Sequence, residues 1–169
     1  MSTCFNLFGD AMSYIRQKQV IYSKESNPSA QLIPDSYTEI TGSRTELISL
    51  NTSMKFIYRF CFQIGLASSP SKWFLHIKLQ SSNDNFTSHI YDIPGANYNV
   101  ASDSQNADDN LYRLNTAFFV INNLTGKNHV RLVCRSYSNS LKPSVHESKW
   151  WDGVEVSRIF DPSLIVFEV

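Results

Sequence analysis

The chain has 169 residues, of which 42% are hydrophobic and 13% aromatic, enough for one domain with a substantial apolar core. Fifteen basic and fifteen acidic residues give a formal net charge of zero, and the absence of any Lys/Arg cluster argues against a nucleic-acid-binding protein. There is no secretory signal pattern and no apolar run of membrane-spanning length. We therefore predict a protein made in the cytoplasm that binds neither nucleic acid nor membrane.

The first thirty residues differ from the rest of the chain. Residues 10–19 have the pattern of one or two helical turns, residues 18–23 look extended, and Asn27-Pro28 marks a loop. We predict that residues 1–30 form a short irregular or helical N-terminal attachment segment. Residues 31–169 are predicted to form a single domain.

From residue 31 onward, alternation of apolar and polar residues predicts β-strands. The clearest strand is residues 54–64, where aromatic and aliphatic residues alternate with Lys55, Arg59 and Gln63. Residues 72–80 repeat this pattern after a Ser-Pro turn. The two segments are therefore predicted to pair as a hairpin.

Three further segments also look extended. Residues 86–93 form a predicted strand that Pro94-Gly95 would end. Residues 112–121 and 129–137 form a second long pair, joined by an Asn- and Gly-containing stretch that suits a tight connection.

The last six residues, Leu164 to Val169, read as a strand that follows the turn at Asp161-Pro162-Ser163. Because an apolar terminus would stick to other molecules if it frayed, we predict that it is an inner strand of a sheet. Turn signals recur roughly every ten residues, and no helix is predicted after residue 30. The predicted fold class is therefore all-β, an antiparallel sandwich or barrel.

The cysteines Cys4, Cys61 and Cys134 lie far apart and form no C-x-x-C spacing, which excludes a zinc knuckle or thioredoxin-type motif. Small buried thiols in a reducing compartment are the favoured interpretation. A single Cys61–Cys134 bridge remains the alternative.

No pattern indicates catalysis. The histidines fall in no H-x-H or H-E-x-x-H frame, and no P-loop or nucleophile elbow occurs. The polar residues 103–110 offer oxygen ligands for Ca²⁺ but lack EF-hand spacing, so a solvated loop is favoured. We predict that the protein is not an enzyme and has no catalytic, cofactor or metal site.

Four features in chain order resemble the TNF/C1q-like jelly roll. They are the opening segment from Ile33-Pro34-Asp35 to Leu50, the alternating strand 55–64, the long pair 112–121 and 129–137, and the aliphatic strand that begins at Pro162-Ser163-Leu164. Similar layouts occur in trimeric heads of phage and virus fibres. The resemblance implies a jelly-roll β-sandwich whose copies associate through one sheet around a threefold axis. The final strand would belong to that sheet.

Aromatic residues are abundant, with eleven Phe, eight Tyr and three Trp, and aromatics are enriched at protein interfaces. In Phe118-Phe119 and Trp150-Trp151, neighbours in an extended segment point to opposite faces, so one of each pair lies outside the core. The predicted subunit interface consists of Tyr58, Tyr112, Phe118, Phe119, Trp150, Trp151 and Phe167.

These inferences predict a virion structural protein: a capsid decoration protein, fibre head or minor capsid protein. It would be a homotrimer docked on other capsid or virion proteins through residues 1–30. The alternative is a carbohydrate- or receptor-binding β-sandwich module that presents Trp150 or Trp151 to a host-surface glycan. A cupin-type enzyme would need histidines and a carboxylate that converge inside the barrel.

Overall fold

The structure, a computed structural model, describes residues 20–24, 29–66, 73–102, 113–137, 143–151 and 155–169. These residues are all-β, and no helix among them is long and apolar enough to cross a membrane. Their strands are β1 (Val20–Lys24), β2 (Gln31–Leu32), β3 (Thr38–Glu39), β4 (Thr45–Ser49), β5 (Phe56–Leu66), β6 (Trp73–Ser82), β7 (Tyr91–Ser102), β8 (Arg113–Ile121), β9 (Gly126–Ser136), β10 (Pro143–Val145), β11 (Glu147–Trp151), β12 (Glu155–Ile159) and β13 (Ser163–Glu168).

Sheet A is built around β5. One side of β5 pairs antiparallel with β8, and the other side pairs first with β13 and then with β10. The far side of β13 pairs with β1, and the far side of β10 pairs with β2. The predicted inner position of the C-terminal strand is therefore confirmed, because β13 lies between β1 and β5.

Between β10 and β13 the chain leaves sheet A as a hairpin of β11 and β12. The backbone N–H of His146 donates to the carbonyl of Gln63 at 2.9 Å, and the N–H of Phe160 donates to the carbonyl of His146 at 2.7 Å. These bonds satisfy backbone groups where the pairing partner of β5 changes from one strand to another.

Sheet B places β6 between β7 and β9, and the far side of β9 pairs with β3 and then with β4. The buried Ser43 lies between β3 and β4, where it fills the gap in this ladder. Its Oγ donates to the carbonyl of Leu132 and accepts from the N–H of Leu132, at 3.2 and 3.1 Å. The carbonyl of Leu132 also accepts from the N–H of Ile40 at 2.9 Å, so the Ser43 hydroxyl supplies the acceptor for the N–H of Leu132.

The main strand pairs are nested. Eight main strands remain when β3 is counted together with β4, and when the short strands β2 and β10 and the β11–β12 hairpin are left out. The first of these strands pairs with the last (β1 with β13) and the second with the seventh (β4 with β9). The third pairs with the sixth (β5 with β8) and the fourth with the fifth (β6 with β7). Two further pairs, β13 with β5 and β9 with β6, complete the sheets. The chain is therefore one long antiparallel hairpin folded over on itself.

The core lies between the two sheets. From β5 it takes four large aromatic side chains, all at most 1% exposed: Phe56, Tyr58, Phe60 and Phe62. Leu75, Ile77 and Leu79 of β6 and Leu132 of β9 are fully buried opposite them. The predicted period of two in both strands is thus confirmed, since alternate residues of each strand face this core.

Both predicted strand pairs are wrong. β5 belongs to sheet A and β6 to sheet B, and the same separation holds for β8 and β9. Each strand buries one apolar face, and it can do so by facing its neighbour across the sandwich as well as by pairing beside it. The chain therefore changes sheet between β5 and β6 and again between β8 and β9.

The prediction for residues 86–93 is also wrong, because most of them form a loop. The carboxylate of Asp84 accepts hydrogen bonds from Ser82, Ser88 and His89, and these bonds hold its pKa well below the usual range. Asn85 and Phe86 adopt positive φ values of 58° and 65°, which an extended strand does not allow.

Strand β7 begins at Tyr91 and continues through Pro94-Gly95 instead of ending there. Its register with β6 shifts from Asn97 opposite Lys78 to Asp92 opposite Gln80. The intervening residues form a bulge. A proline, which has no N–H to donate to the ladder, is tolerated there, and Gly95 takes a φ of 74°.

Cys61 and Cys134 are both free thiols, so the alternative of a bridge between them is wrong. Cys61 belongs to sheet A and is half-buried, whereas Cys134 is fully buried in sheet B. Burial raises the pKa of the Cys134 thiol, which makes it a poor nucleophile.

Two buried tyrosine hydroxyls provide a matched test of the core. The hydroxyl of Tyr58 donates to the carbonyl of Ser43 at 2.6 Å, whereas the buried hydroxyl of Tyr98 has no partner among the described residues. We expect Tyr58→Phe to lower the free energy of unfolding by about 1–3 kcal/mol, because it leaves a buried carbonyl unsatisfied.

Tyr98→Phe removes an unsatisfied polar atom, so the free energy of unfolding should stay the same or rise by up to about 1 kcal/mol. Urea unfolding of both variants at one protein concentration measures the difference. Equal destabilisation by the two substitutions would contradict this assignment of the hydroxyl groups.

Candidate interaction surface

The outward side of sheet A forms a surface that we call the apolar face. Residues directly opposite each other in antiparallel strands point to the same side of a sheet, so the register defines its rows. Across β8, β5 and β13 they are Val120 with Ile57 and Phe167, Phe118 with Arg59 and Ile165, Thr116 with Cys61 and Ser163, and, across β8 and β5, Leu114 with Gln63.

The large side chains of β8 on this face are open to solvent. Leu114 is 63% exposed, Phe118 57% and Val120 51%. Ile57 of β5 and Ile165 and Phe167 of β13 are half-buried beside them. Single exposed apolar residues are ordinary, but adjoining ones over three strands form a candidate interaction surface.

Arg59 is the one charged residue among the described side chains of these rows. It has no hydrogen-bond or ion-pair partner among the residues that the structure describes, and it stands between Phe118 and Ile165. An arginine can lay its aliphatic stem along apolar neighbours and keep its guanidinium available to a partner. Arginine is also among the residues enriched at protein interfaces.

The outward side of sheet B is different in character, because Lys78, Asp92, Arg131 and Glu39 form a network of paired charges on it. Lys78 lies 2.7 Å from Asp92, and Gln80 donates to the same carboxylate at 2.9 Å. Arg131 donates to Gln80 at 3.1 and 3.2 Å and to Glu39 at 3.2 Å. Hydrogen bonds from Lys78 and Gln80 lower the pKa of Asp92 even though partial burial raises it.

Two aromatic rings cover this charged network. The guanidinium carbon of Arg131 lies 4.0 Å from the centre of the Phe86 ring, and the ammonium nitrogen of Lys78 lies 4.0 Å from the centre of the Tyr37 ring. Such cation–π contacts satisfy the cations within the chain. The network on sheet B thus needs no partner, whereas the apolar face of sheet A has none within the described chain.

The residues predicted as a subunit interface separate into three groups. Phe118 and Phe167 lie on the apolar face. Tyr58 and Phe119 lie instead in the core, where they are 0% and 8% exposed and offer no surface to a second copy. Tyr112 lies outside the described residues, as do the side chains of Trp150 and Trp151, although the backbone of both tryptophans belongs to β11.

Several residues of the apolar face are absent from the sequence prediction, namely Leu114, Val120, Ile57 and Ile165. The sequence holds a signal for those in β8, because apolar residues lie on both sides of this strand. Ala117, Phe119 and Ile121 are buried on one side, and Phe118 and Val120 are exposed on the other. A strand that is apolar on both sides predicts two covered faces. In β5 the strong inward aromatic pattern conceals Ile57.

Within the described parts of the chain, no three His, Cys, Asp or Glu side chains converge where they could hold a metal ion. The polar segment 103–110 lies outside the described residues.

Comparison with known proteins gives no assignment. No protein-family model and no curated protein matches this chain.

Proposed function

We propose that this protein is a TNF/C1q-like jelly roll that functions as a homotrimeric structural protein and assembles through the apolar face of sheet A. The observation that carries this proposal is the contrast between the two outward faces. The outward face of sheet B carries a network of paired charges, whereas that of sheet A exposes Leu114, Phe118 and Val120 of β8 beside half-buried apolar residues of β5 and β13.

The nested strand pairs support the jelly roll. A jelly roll is a double-sheet sandwich of eight strands with Greek-key connections, and rolling up one long antiparallel hairpin produces such connections. The observed pairs, first with last through fourth with fifth, have this nesting. The C-terminal strand β13 lies in the sheet that carries the apolar face, where the resemblance places it.

The chemistry of the apolar face supports association with other copies of the same chain. Burying exposed apolar side chains stabilises an assembly by roughly 25 cal/mol for each Å² removed from water. In a threefold ring each copy contacts its two neighbours through two complementary patches, and in the proposal both patches lie on the apolar face. The number of three copies comes from the resemblance to trimeric fibre heads.

The location of this assembly on a virus particle also rests on that resemblance. In the proposal the trimer decorates a capsid or forms a fibre head, and residues 1–30 dock on another virion protein. Strand β1, which falls within this segment, pairs with β13 as the edge strand of sheet A. The attachment segment thus joins the sandwich at the edge of the sheet that carries the apolar face.

Cys61 provides an internal reporter for the proposal, because it lies on the apolar face between Thr116 and Ser163. We expect its thiol to react with a maleimide much more slowly in the native assembly than in a monomeric variant. Cys134 is the unreactive control, since it is fully buried and burial raises its pKa. Cys4→Ser removes the remaining thiol from the assay.

Labelling of Cys61 at the same rate in native protein and in a monomeric variant would overturn assembly through this face. Protection of Cys61 in a native protein that is itself monomeric would instead identify a segment of the same chain as the cover of the face, and would also overturn the proposal.

A further inference from the structure

An open cavity of about 310 Å³ lies on the outward side of sheet B, where β6 and β9 are adjacent. Its described lining residues are Asp35, Phe74, His76, Arg135, Ser136 and Tyr137. The volume is at the small end of the range of about 300–1,000 Å³ for ligand sites in proteins. The size suits a ligand of one or two rings.

Two aromatic side chains form a corner of this cavity. The rings of Phe74 and Tyr137 have centroids 6.3 Å apart and meet at 82°. Phe74 is 38% exposed and Tyr137 is 84% exposed, so the chain leaves both rings largely uncovered. An exposed aromatic face attracts the slightly positive C–H groups on one face of a saturated ring.

Tyr37 orients the polar groups beside this corner. Its hydroxyl is hydrogen-bonded to Nδ1 of His76, and its ring lies 5.0 Å from the guanidinium carbon of Arg135. Arg135 has no ion-pair partner among the residues that the structure describes. Its donors are therefore held in place by stacking and remain available to a ligand.

The cavity combines a cation with a carboxylate, because Arg135 and Asp35 both line it. A strongly anionic ligand would be repelled by Asp35, and a cationic one by Arg135. A neutral ligand with many hydroxyl groups suits both, because each hydroxyl donates one hydrogen bond and accepts others. The aromatic corner adds a surface for the C–H groups of such a ligand.

We propose that this cavity is a binding site for a neutral pyranose sugar, which stacks on Tyr137 or Phe74 and hydrogen-bonds to Arg135, His76 and Asp35. The cavity lies on sheet B, on the opposite side of the sandwich from the apolar face, so an assembly through sheet A leaves it open. The inference therefore does not depend on the proposed oligomer.

Ligand-observed saturation-transfer NMR with the full chain tests this site. The probes are methyl β-galactoside, methyl α-mannoside and N-acetylglucosamine, with lactose to compare a longer glycan and sialyllactose to compare a charged one. At least one neutral probe should bind, and Tyr137→Ala or Arg135→Ala should weaken its binding roughly tenfold. Tyr91→Ala, a tyrosine 55% exposed on β7 and outside the cavity lining, should leave binding unchanged.

Tighter binding of lactose than of the single sugars would identify a glycan chain as the source of the ligand. Equal binding affinities would identify a free sugar. Binding of sialyllactose without any neutral probe would overturn the proposal in favour of an anion site. No binding by any probe would overturn it altogether, as would equal weakening by Tyr91→Ala. The result is independent of the oligomeric mass, so its failure is distinguishable from failure of the assembly proposal.

Discussion

Phe118→Asp should convert the native assembly into a folded monomer. Phe118 lies in a central row of the apolar face and is 57% exposed in the single chain, so the monomer tolerates a polar side chain there. In an assembly the new carboxylate would be removed from water beside Arg59, which lies opposite it on β5. The desolvation of this pair, together with the loss of the Phe118 ring, would destabilise the assembly by several kcal/mol per copy. Light scattering measures the mass, and circular dichroism shows whether the β-sheet signal is retained.

Leu50→Asp is the matched control for this substitution. Leu50 is 71% exposed and follows β4 in the other sheet, so the same change of an apolar side chain to a carboxylate should leave the mass unaltered. Native mass in the Phe118→Asp protein would contradict the role of the apolar face. Equal dissociation by both substitutions would show a loss of solubility or folding in place of a specific interface.

Phe60→Ala should lower the free energy of unfolding by about 3–5 kcal/mol, the largest stability effect that we expect from a single truncation. Phe60 is 0% exposed. Its ring stacks on Phe62 with centroids 5.4 Å apart and meets His146 edge-on at 6.4 Å. Removal of the ring leaves a cavity that the packed sandwich can fill only in part.

Urea unfolding measures this loss, and both proteins must be compared at one concentration because assembly adds to apparent stability. Leu50→Ala is the control, since truncation of a side chain 71% exposed should change the free energy of unfolding by less than about 0.5 kcal/mol. A loss below about 1 kcal/mol in Phe60→Ala would contradict the placement of this ring in the core.

Much of the fold could be predicted from residue patterns. The alternation around Phe60 identified β5 and its buried face, and the aliphatic end of the chain identified β13 as an inner strand. These features are local, because side-chain period and strand propensity depend on neighbouring residues alone.

The partners of the strands could not be predicted in the same way. A turn between β5 and β6 is compatible with pairing in one sheet and with crossing between two, and the residues in the turn do not distinguish these outcomes. The loop at Asp84 could not be predicted either, because it depends on one carboxylate that accepts hydrogen bonds from residues both before and after it in the chain.

The same distinction between local patterns and strand pairing applies to the candidate surfaces. Phe118 could be found because it stands next to Phe119 in an extended segment, so one of the two must face outward. The sugar cavity could not be found, since Asp35, Phe74 and Tyr137 come from separate segments and meet only once the strand partners are known.

The mass of the purified native protein in solution tests the central claim most directly. Assembly through the apolar face predicts a stable species close to three times 19.3 kDa. A species of 19.3 kDa over the accessible concentration range would contradict it.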